Sequence, residues 1–93
     1  MQQYKSQYFI DKVSKKISKI MDDKNLDDTI VGDRIGVDPR HVRRVKGGER
    51  NFSISEIERF AIGLGVHPKE LMDFDFELNP EFIPPLPKKK GKK

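Results

Sequence analysis

A chain of 93 residues, 34% of them hydrophobic and 37% charged, can bury one modest core, which excludes a second globular domain. It has no cysteine, which excludes disulfides and thiolate zinc sites and suits a reducing cytoplasm. The net charge of +4 favours a polyanionic partner. The sequence shows neither a signal peptide nor an apolar run of membrane-spanning length, so we expect a cytoplasmic protein with no membrane partner.

The first predicted element is a long amphipathic helix. Apolar residues recur at spacings of three and four, which is typical of a helix with one buried face, and they are Ile10, Val13, Ile17, Ile20 and Met21. The pattern predicts a helix over residues 7–23. Lysines dominate its other face, and we interpret them as a solvated surface.

The next four predicted helices begin with one shared pattern. In each, an apolar residue precedes a capping residue, and a second apolar residue follows four positions after the cap, as in a hydrophobic staple. The four triplets are Leu26, Asp27 and Val31; Val37, Asp38 and Val42; Phe52, Ser53 and Ile57; and Val66, His67 and Leu71. Pro39 and Pro68 occupy first helical positions, and Ser53 with Glu56 completes a capping box. The sequence therefore predicts an all-α fold of five helices joined by short turns.

The C-terminal residues follow a different pattern. Phe74, Phe76 and Leu78 alternate with acidic or polar residues, and this period of two indicates an edge or pairing strand. Prolines and a lysine-rich end follow, so we expect an extended segment with a disordered basic tail over residues 88–93, which could contact phosphates or keep the chain soluble. We therefore divide the chain into a domain over residues 1–74 and a C-terminal segment over residues 75–93.

A helix-turn-helix unit is indicated between residues 28 and 46. Two short predicted helices meet there through Gly36, Val37 and Asp38, a link too short for an antiparallel pair. Val42 and Val45 should face inward in the second helix, so its exposed face is basic or hydrogen-bonding and consists of Arg40, His41, Arg43 and Arg44. Because the major groove admits one α-helix and arginine can bridge guanine O6 and N7, this helix is a candidate for reading bases.

Two stretches of the sequence resemble one protein family. Residues 35–51, IGVDPRHVRRVKGGERN, look like the turn, recognition helix and following loop of the Cro and phage-repressor helix-turn-helix family, also called the xenobiotic-response-element family. Residues 60–71, FAIGLGVHPKEL, are similar to its fourth and fifth helices. The resemblance covers residues 7–74 and implies a five-helix lambda-repressor-like domain that regulates transcription. Among members, the chain looks most like small stand-alone regulators such as restriction-modification controller proteins.

The resemblance also implies DNA contacts by position. The implied base contacts, with the first two favoured, are Arg40, Arg44, Pro39, His41 and Arg43. The implied phosphate contacts are Arg50, Asn51 and Lys46. Glu49 stands in the same loop as the first two of these, and phosphate should repel it.

Three features depart from the family pattern. Asp28 stands where members often have a glutamine that contacts phosphate, and phosphate should repel its carboxylate. Gly32 replaces the usual alanine at the contact between the two helices, at a cost of about 0.8–1.0 kcal/mol in helix propensity. Met21 and Lys46 replace an arginine and a glutamate that often pair, and because both partners are lost, no charge is left unpaired.

Several apolar residues near the C-terminus exceed what a five-helix core requires. They are Phe74, Phe76, Leu78, Phe82 and Ile83, and they could cover the core or meet a second copy of the chain. We expect a homodimer, because repressors of the resembled architecture bind two-fold sites with half-sites about 34–36 Å apart.

Sequence-specific binding of double-stranded DNA is therefore the expected function. The alternative is a protein-interaction module, such as an antitoxin that binds a toxin through the C-terminal strand, but that role does not require a basic helix. We expect no enzyme, because the sequence offers no nucleophile paired with a base, no phosphate-binding loop and no metal cluster. His41 and His67 belong to no ligand cluster, so we expect no metal, cofactor or small-molecule ligand.

Overall fold

The computed structural model describes residues 5–77. This part of the chain forms four α-helices and one 3-10 helix, and it contains no strand. Helix α1 is Gln7–Lys24, α2 is Asp28–Ile35, α3 is Pro39–Lys46, α4 is Ile54–Leu64, and the 3-10 helix is Pro68–Met72. None of these helices is both long and apolar enough to span a membrane.

The four predicted capping residues each begin a helix, which confirms the pattern read from the sequence. Each side chain accepts a hydrogen bond from a backbone amide two or three residues later: Asp27 from Ile30 at 2.8 Å, Asp38 from Arg40 at 2.7 Å, Ser53 from Glu56 at 3.1 Å, and His67 from Lys69 at 3.2 Å. Ser6 caps α1 in the same way, although no apolar residue precedes it to form a staple. Capping satisfies amides that the first helical turn leaves without partners.

The prediction of a fifth α-helix is wrong. The segment that starts at Pro68 is a 3-10 helix of five residues. It is capped at its C-terminal end by Asp73, whose amide donates to the carbonyl oxygen of Glu70, three residues earlier, at 3.4 Å. Segments this short often close with bonds of that spacing rather than with full α-helical turns. The described fold therefore has four α-helices instead of five.

The prediction of a C-terminal strand is also wrong for the residues that the structure describes. The rings of Phe74 and Phe76 pack edge-on against Phe9 of α1, with ring centroids 5.6 Å away in both cases. The Tyr8 ring lies at a tilted angle to that of Phe76, with centroids 5.4 Å apart, and its hydroxyl oxygen accepts a hydrogen bond from the amide of Glu77 at 3.2 Å. The segment therefore lies along the N-terminal end of α1. The other residues of this prediction, Leu78, Phe82, Ile83 and the tail over residues 88–93, lie outside the described residues.

The core lies where the helices meet. Its fully buried side chains come from every helix and include Val13, Ile17, Met21, Val31, Val42, Val45, Phe60, Leu64 and Leu71. Two of these, Val42 and Val45, form the inner face of α3, as predicted. Phe60 of α4 and Leu71 of the 3-10 helix belong to the same buried cluster. Helix α3 is thus fixed by its apolar face, and its three arginines are left on the outside.

Gly32 lies at the closest approach between α2 and the turn that leads into α3. A Cβ atom at this position would lie 2.6 Å from the carbonyl oxygen of Val37, which is shorter than any normal contact. The carbonyl oxygen of Gly32 also accepts a hydrogen bond from the amide of Val37 at 2.9 Å. From the sequence, Gly32 was expected only to lower helix propensity. In the structure, its lack of a side chain is what allows this close approach.

Candidate nucleic-acid interface

Helix α3 separates its side chains into a buried apolar face and an exposed cationic face. Val42 and Val45 are fully buried, whereas Arg40, Arg43 and Arg44 are exposed. The guanidinium-bearing side chain of Arg40 is 76% exposed, and it belongs to the first turn of the helix. A helix held in this way presents cations along its outer side, which suits contact with the bases and phosphates of DNA.

Arg40 is paired with the residue that caps its own helix. Its Nε donates to Oδ1 of Asp38 at 3.2 Å, and its Nη2 donates to Oδ2 at 3.1 Å. The hydrogen bonds from the side chain and amide of Arg40 lower the pKa of Asp38 from 3.8 to about 2. The same pairing raises the pKa of Arg40. The carboxylate is therefore ionised at neutral pH, and the guanidinium is held beside it.

Asp28, on the first turn of α2, is surrounded by cations from α3. Its Oδ1 lies 2.7 Å from Nζ of Lys46, in an ion pair that lacks the angles of a hydrogen bond, and its Oδ2 lies 3.5 Å from Nε of Arg43. The Asp28 side chain is only 17% exposed. Its charge is thus offset by two cations that stand close enough to reduce the repulsion of phosphate expected at this position. Lys46, predicted as a phosphate contact, is itself partly buried by this pairing.

His41 and Arg50 share one carboxylate, that of Glu56 in α4. Nε2 of His41 lies 3.1 Å from Oε2 of Glu56, and Nη2 of Arg50 lies 3.3 Å from the same oxygen. The His41 side chain is 22% exposed, and its ring lies beside Phe60 with centroids 6.2 Å apart. His41 therefore faces α4 rather than solvent. Glu56 was predicted to complete a capping box, and instead its carboxylate joins α3 and the following loop to α4.

The remaining predicted contacts are on α3 and in the loop that follows it. Pro39 is half-buried beside the cap of α3, and Asn51 is exposed in the loop after it. Arg44 is exposed, and within residues 5–77 its guanidinium has no ion-pair partner. The loop after α3 is joined to α1 by a hydrogen bond, because Nε2 of Gln7 donates to the carbonyl oxygen of Gly48 at 2.7 Å. The loop that carries the predicted phosphate contacts is thereby attached to the first turn of α1.

Three acidic residues around these cations were interpreted in the sequence only as caps or as repelled groups. They are Asp28, Asp38 and Glu56. In the sequence, Arg40 follows the acidic cap Asp38 by two residues, and this spacing could have indicated that the two side chains pair. The pairs of Asp28 and Glu56 join different elements of the fold, so no local signal predicts them. Within the described part of the chain, no cluster of three histidine or acidic side chains is arranged to hold a metal ion.

Comparison with known proteins identifies the family to which this helical domain belongs. The Cro/C1-type HTH DNA-binding domain matches residues 16–77, which is more than half of the chain. The chain belongs to this family. No curated protein matches it. The helix-turn-helix of this Cro/C1-type domain is α2, the turn after it and α3, and the exposed arginines described above lie on its second helix.

Solved structures of similar fold include two restriction-modification controller proteins, the class of regulator that the sequence resembles. C.AhdI from Aeromonas hydrophila is 27% identical, with 67% of this chain and 94% of that chain covered and a TM-score of 0.63. C.Esp1396I, as a tetramer in complex with its natural 35 base-pair operator, is 23% identical, with 74% and 100% covered and a TM-score of 0.63. The hypothetical transcription factor NHTF from Neisseria is 20% identical, with 87% and 88% covered and a TM-score of 0.65. At identities this low, the last two show the fold alone.

Proposed function

We propose that this chain is a transcriptional regulator that binds double-stranded DNA sequence-specifically, with α3 in the major groove. The observation that carries the proposal is the two-sided character of α3, which buries Val42 and Val45 and leaves Arg40, Arg43 and Arg44 exposed. Arginine is the side chain that most often makes specific contacts to guanine, and one α-helix fits the width of the major groove. Membership of a DNA-binding family supports the same conclusion.

The base contacts in this proposal come from one helix. Arg40 and Arg44 are the leading candidates because they are exposed on successive turns, and Pro39 and Arg43 flank them. His41 is also a candidate, but it must leave the carboxylate of Glu56 before it can reach a base. We therefore expect the two leading arginines to determine most of the sequence preference.

The phosphate contacts in this proposal come from the end of α3 and from the loop that follows. Arg50 and Asn51 are exposed in that loop, and the guanidinium of Arg50 can exchange Glu56 for a phosphate oxygen. Lys46 is held by Asp28, so its positive charge is partly offset. Charge-assisted contacts of this kind strengthen binding to any DNA sequence and weaken as salt is added.

We also propose that the chain binds a two-fold site as a homodimer. C.Esp1396I was solved as a tetramer on its operator, and the present fold is similar to it. The proposed interface consists of Phe74, Phe76, Leu78, Phe82 and Ile83. Of these, Phe76 is 47% exposed after packing on α1, so it retains apolar surface for a second copy. A monomer in size-exclusion chromatography with light scattering at micromolar concentration would contradict the dimer.

The division of the chain follows from these roles. Residues 1–74 form the DNA-binding domain of the proposal, and residues 75–93 form a C-terminal segment whose lysines add affinity for phosphate. A regulator of this kind works at the nucleoid, in the cytoplasm. Deleting residues 88–93 and finding an unchanged salt dependence of DNA binding would contradict the role given to these lysines.

Selection from random duplex DNA tests the proposal. The protein is incubated with the library at about 0.15 M salt, near physiological ionic strength, and the retained duplexes are sequenced. We expect a two-fold motif. Enrichment of a single half-site would support sequence-specific DNA binding but contradict the dimer. If no sequence is enriched and binding occurs only at low salt, α3 supplies charge without readout and the proposed function is wrong.

A further inference from the structure

The contact between Asp38 and Arg40 uses one edge of the guanidinium group. Oδ1 of Asp38 accepts from the Arg40 amide at 2.7 Å and from its Nε at 3.2 Å, while Oδ2 accepts from Nη2 at 3.1 Å. The carboxylate of Asp38 therefore contacts both the backbone amide of Arg40, at the start of α3, and the guanidinium group of the same residue. Both partners are exposed, at the end of α3 that begins the cationic face.

This arrangement leaves the other end of the guanidinium group available. Arginine has five N–H donors, and the contact with Asp38 uses the one on Nε and one of the two on Nη2. The two hydrogens of Nη1 and the second hydrogen of Nη2 remain. Nη1 and Nη2 form the fork that can donate to O6 and N7 of guanine at the same time. The pairing therefore orders the side chain and leaves three N–H hydrogens, two on Nη1 and one on Nη2, available to a base.

We propose that Asp38 is a positioning residue that holds Arg40 ready to read a guanine in the major groove. The inference rests on the proposed function and assigns one base to one side chain of α3. An exposed ion pair adds little to folding stability, so the observed geometry is better suited to ordering Arg40 than to holding the fold.

The role predicts two opposite effects when the carboxylate is made neutral. Asp38→Asn keeps an oxygen that can cap α3, because asparagine caps helices about as well as aspartate. Arg40 then loses its ordering partner, and preference for guanine at one position should fall by about threefold to tenfold, since the free arginine has more rotamers to lose. Removing a negative charge near the phosphates should at the same time strengthen binding to random DNA. A residue that served only as a cap would produce the second effect without the first, so the loss of guanine preference is the effect that tests the positioning role.

The test is selection from random duplex DNA with a set of matched variants. The set comprises the wild type, Asp38→Asn, Arg40→Ala, the double variant, and Asp33→Asn as a control that changes the same charge at an exposed position of α2. Circular dichroism confirms that each variant is folded. We expect the wild type and the control to enrich guanine at one position, by about 5-fold to 150-fold over the other bases. Arg40→Ala should lose this preference.

The double variant distinguishes positioning from an independent contact. The readout is the ratio of the affinities for the selected site and for random duplex, which Arg44 still supports when Arg40 is replaced. If Asp38 acts through Arg40, Asp38→Asn lowers this ratio in the wild-type background and changes nothing further in the Arg40→Ala background. If Asp38→Asn retains the full guanine preference, or lowers the affinity ratio by the same factor in both backgrounds, the positioning role is wrong while the proposed function stands. If the wild type enriches no motif, the proposed function is wrong and this inference fails with it.

Discussion

Replacing Gly32 by alanine tests how closely α2 and the turn before α3 approach each other. In an ordinary helix this change is stabilising by about 0.8–1.0 kcal/mol, because alanine is the better helix former. Here the new Cβ would lie 2.6 Å from the carbonyl oxygen of Val37, and a backbone atom cannot move aside as the end of a flexible side chain can. The turn that orients α3 would have to shift.

The expected magnitude follows from these two opposing effects. Forcing extra volume into a well-packed site costs about 1–3 kcal/mol, and the rigid neighbour favours the upper part of that range. After subtraction of the gain in helix propensity, we expect a net loss of about 1–2 kcal/mol in the free energy of unfolding. For a domain of this size, that corresponds to a fall in Tm of about 4–15 °C.

Gly47→Ala is the matched control, since it makes the same chemical change at another glycine. Gly47 has a right-handed helical conformation, with φ −82 and ψ −2, and its nearest atom to a new Cβ would be 3.5 Å away. Thermal unfolding followed by circular dichroism should show a Tm near or above the wild-type value for this control. If Gly32→Ala also matches or exceeds the wild type, the argument from close approach is refuted.

Three further predictions concern charge. Asp28→Asn releases Lys46 from its ion pair, so binding to random duplex should strengthen, and the slope of log K against log salt should steepen by about 0.9 for each cation released. The control Asp33→Asn should leave both the affinity and the slope unchanged. Titrations followed by fluorescence anisotropy measure both quantities. Arg50→Ala should weaken binding to target and random DNA by the same factor and make the slope shallower by about 0.9, and a selective loss of the target would contradict its role as a phosphate contact. The pKa of Asp38, lowered to about 2, implies a contribution to stability that is present above pH 3.8 and lost as the pH falls towards 2. Because both partners are exposed, solvent keeps this contribution small. Acid titration of stability should therefore be slightly flatter in this interval for Asp38→Asn, and a steeper curve for the variant would contradict the pairing.

The features of the fold that the sequence predicted correctly are local ones. A capping side chain contacts an amide two or three residues away, so Asp27, Asp38, Ser53 and His67 could be recognised from short-range spacing alone. The inner face of α3 was also predictable, because the spacing of its valines matches one side of a helix. Membership of the Cro/C1-type family confirms the resemblance first carried by the turn and the recognition helix.

The features that the sequence did not predict depend on contacts between distant segments. Alternation of Phe74 and Phe76 with acidic residues indicates an extended segment with one apolar side, and it does not indicate what that side meets. In the structure it meets Phe9 of α1 rather than another strand. The ion pair of Asp28 with Lys46 likewise requires α2 and α3 to be packed at one particular angle, which charge spacing in the sequence does not reveal. The short 3-10 helix shows that a cap and a proline define where a helix begins but not how far it extends.

The most direct test of the central claim, that α3 reads the bases of duplex DNA, is a competition between the selected site and random duplex. The ratio of the two affinities is measured at about 0.15 M salt for the wild type and for a variant with Arg40→Ala and Arg44→Ala together. We predict a ratio of about 1,000 or more for the wild type, which is typical of specific DNA binders, and a loss of most of this ratio in the variant. A folded variant that keeps the wild-type ratio would contradict the claim.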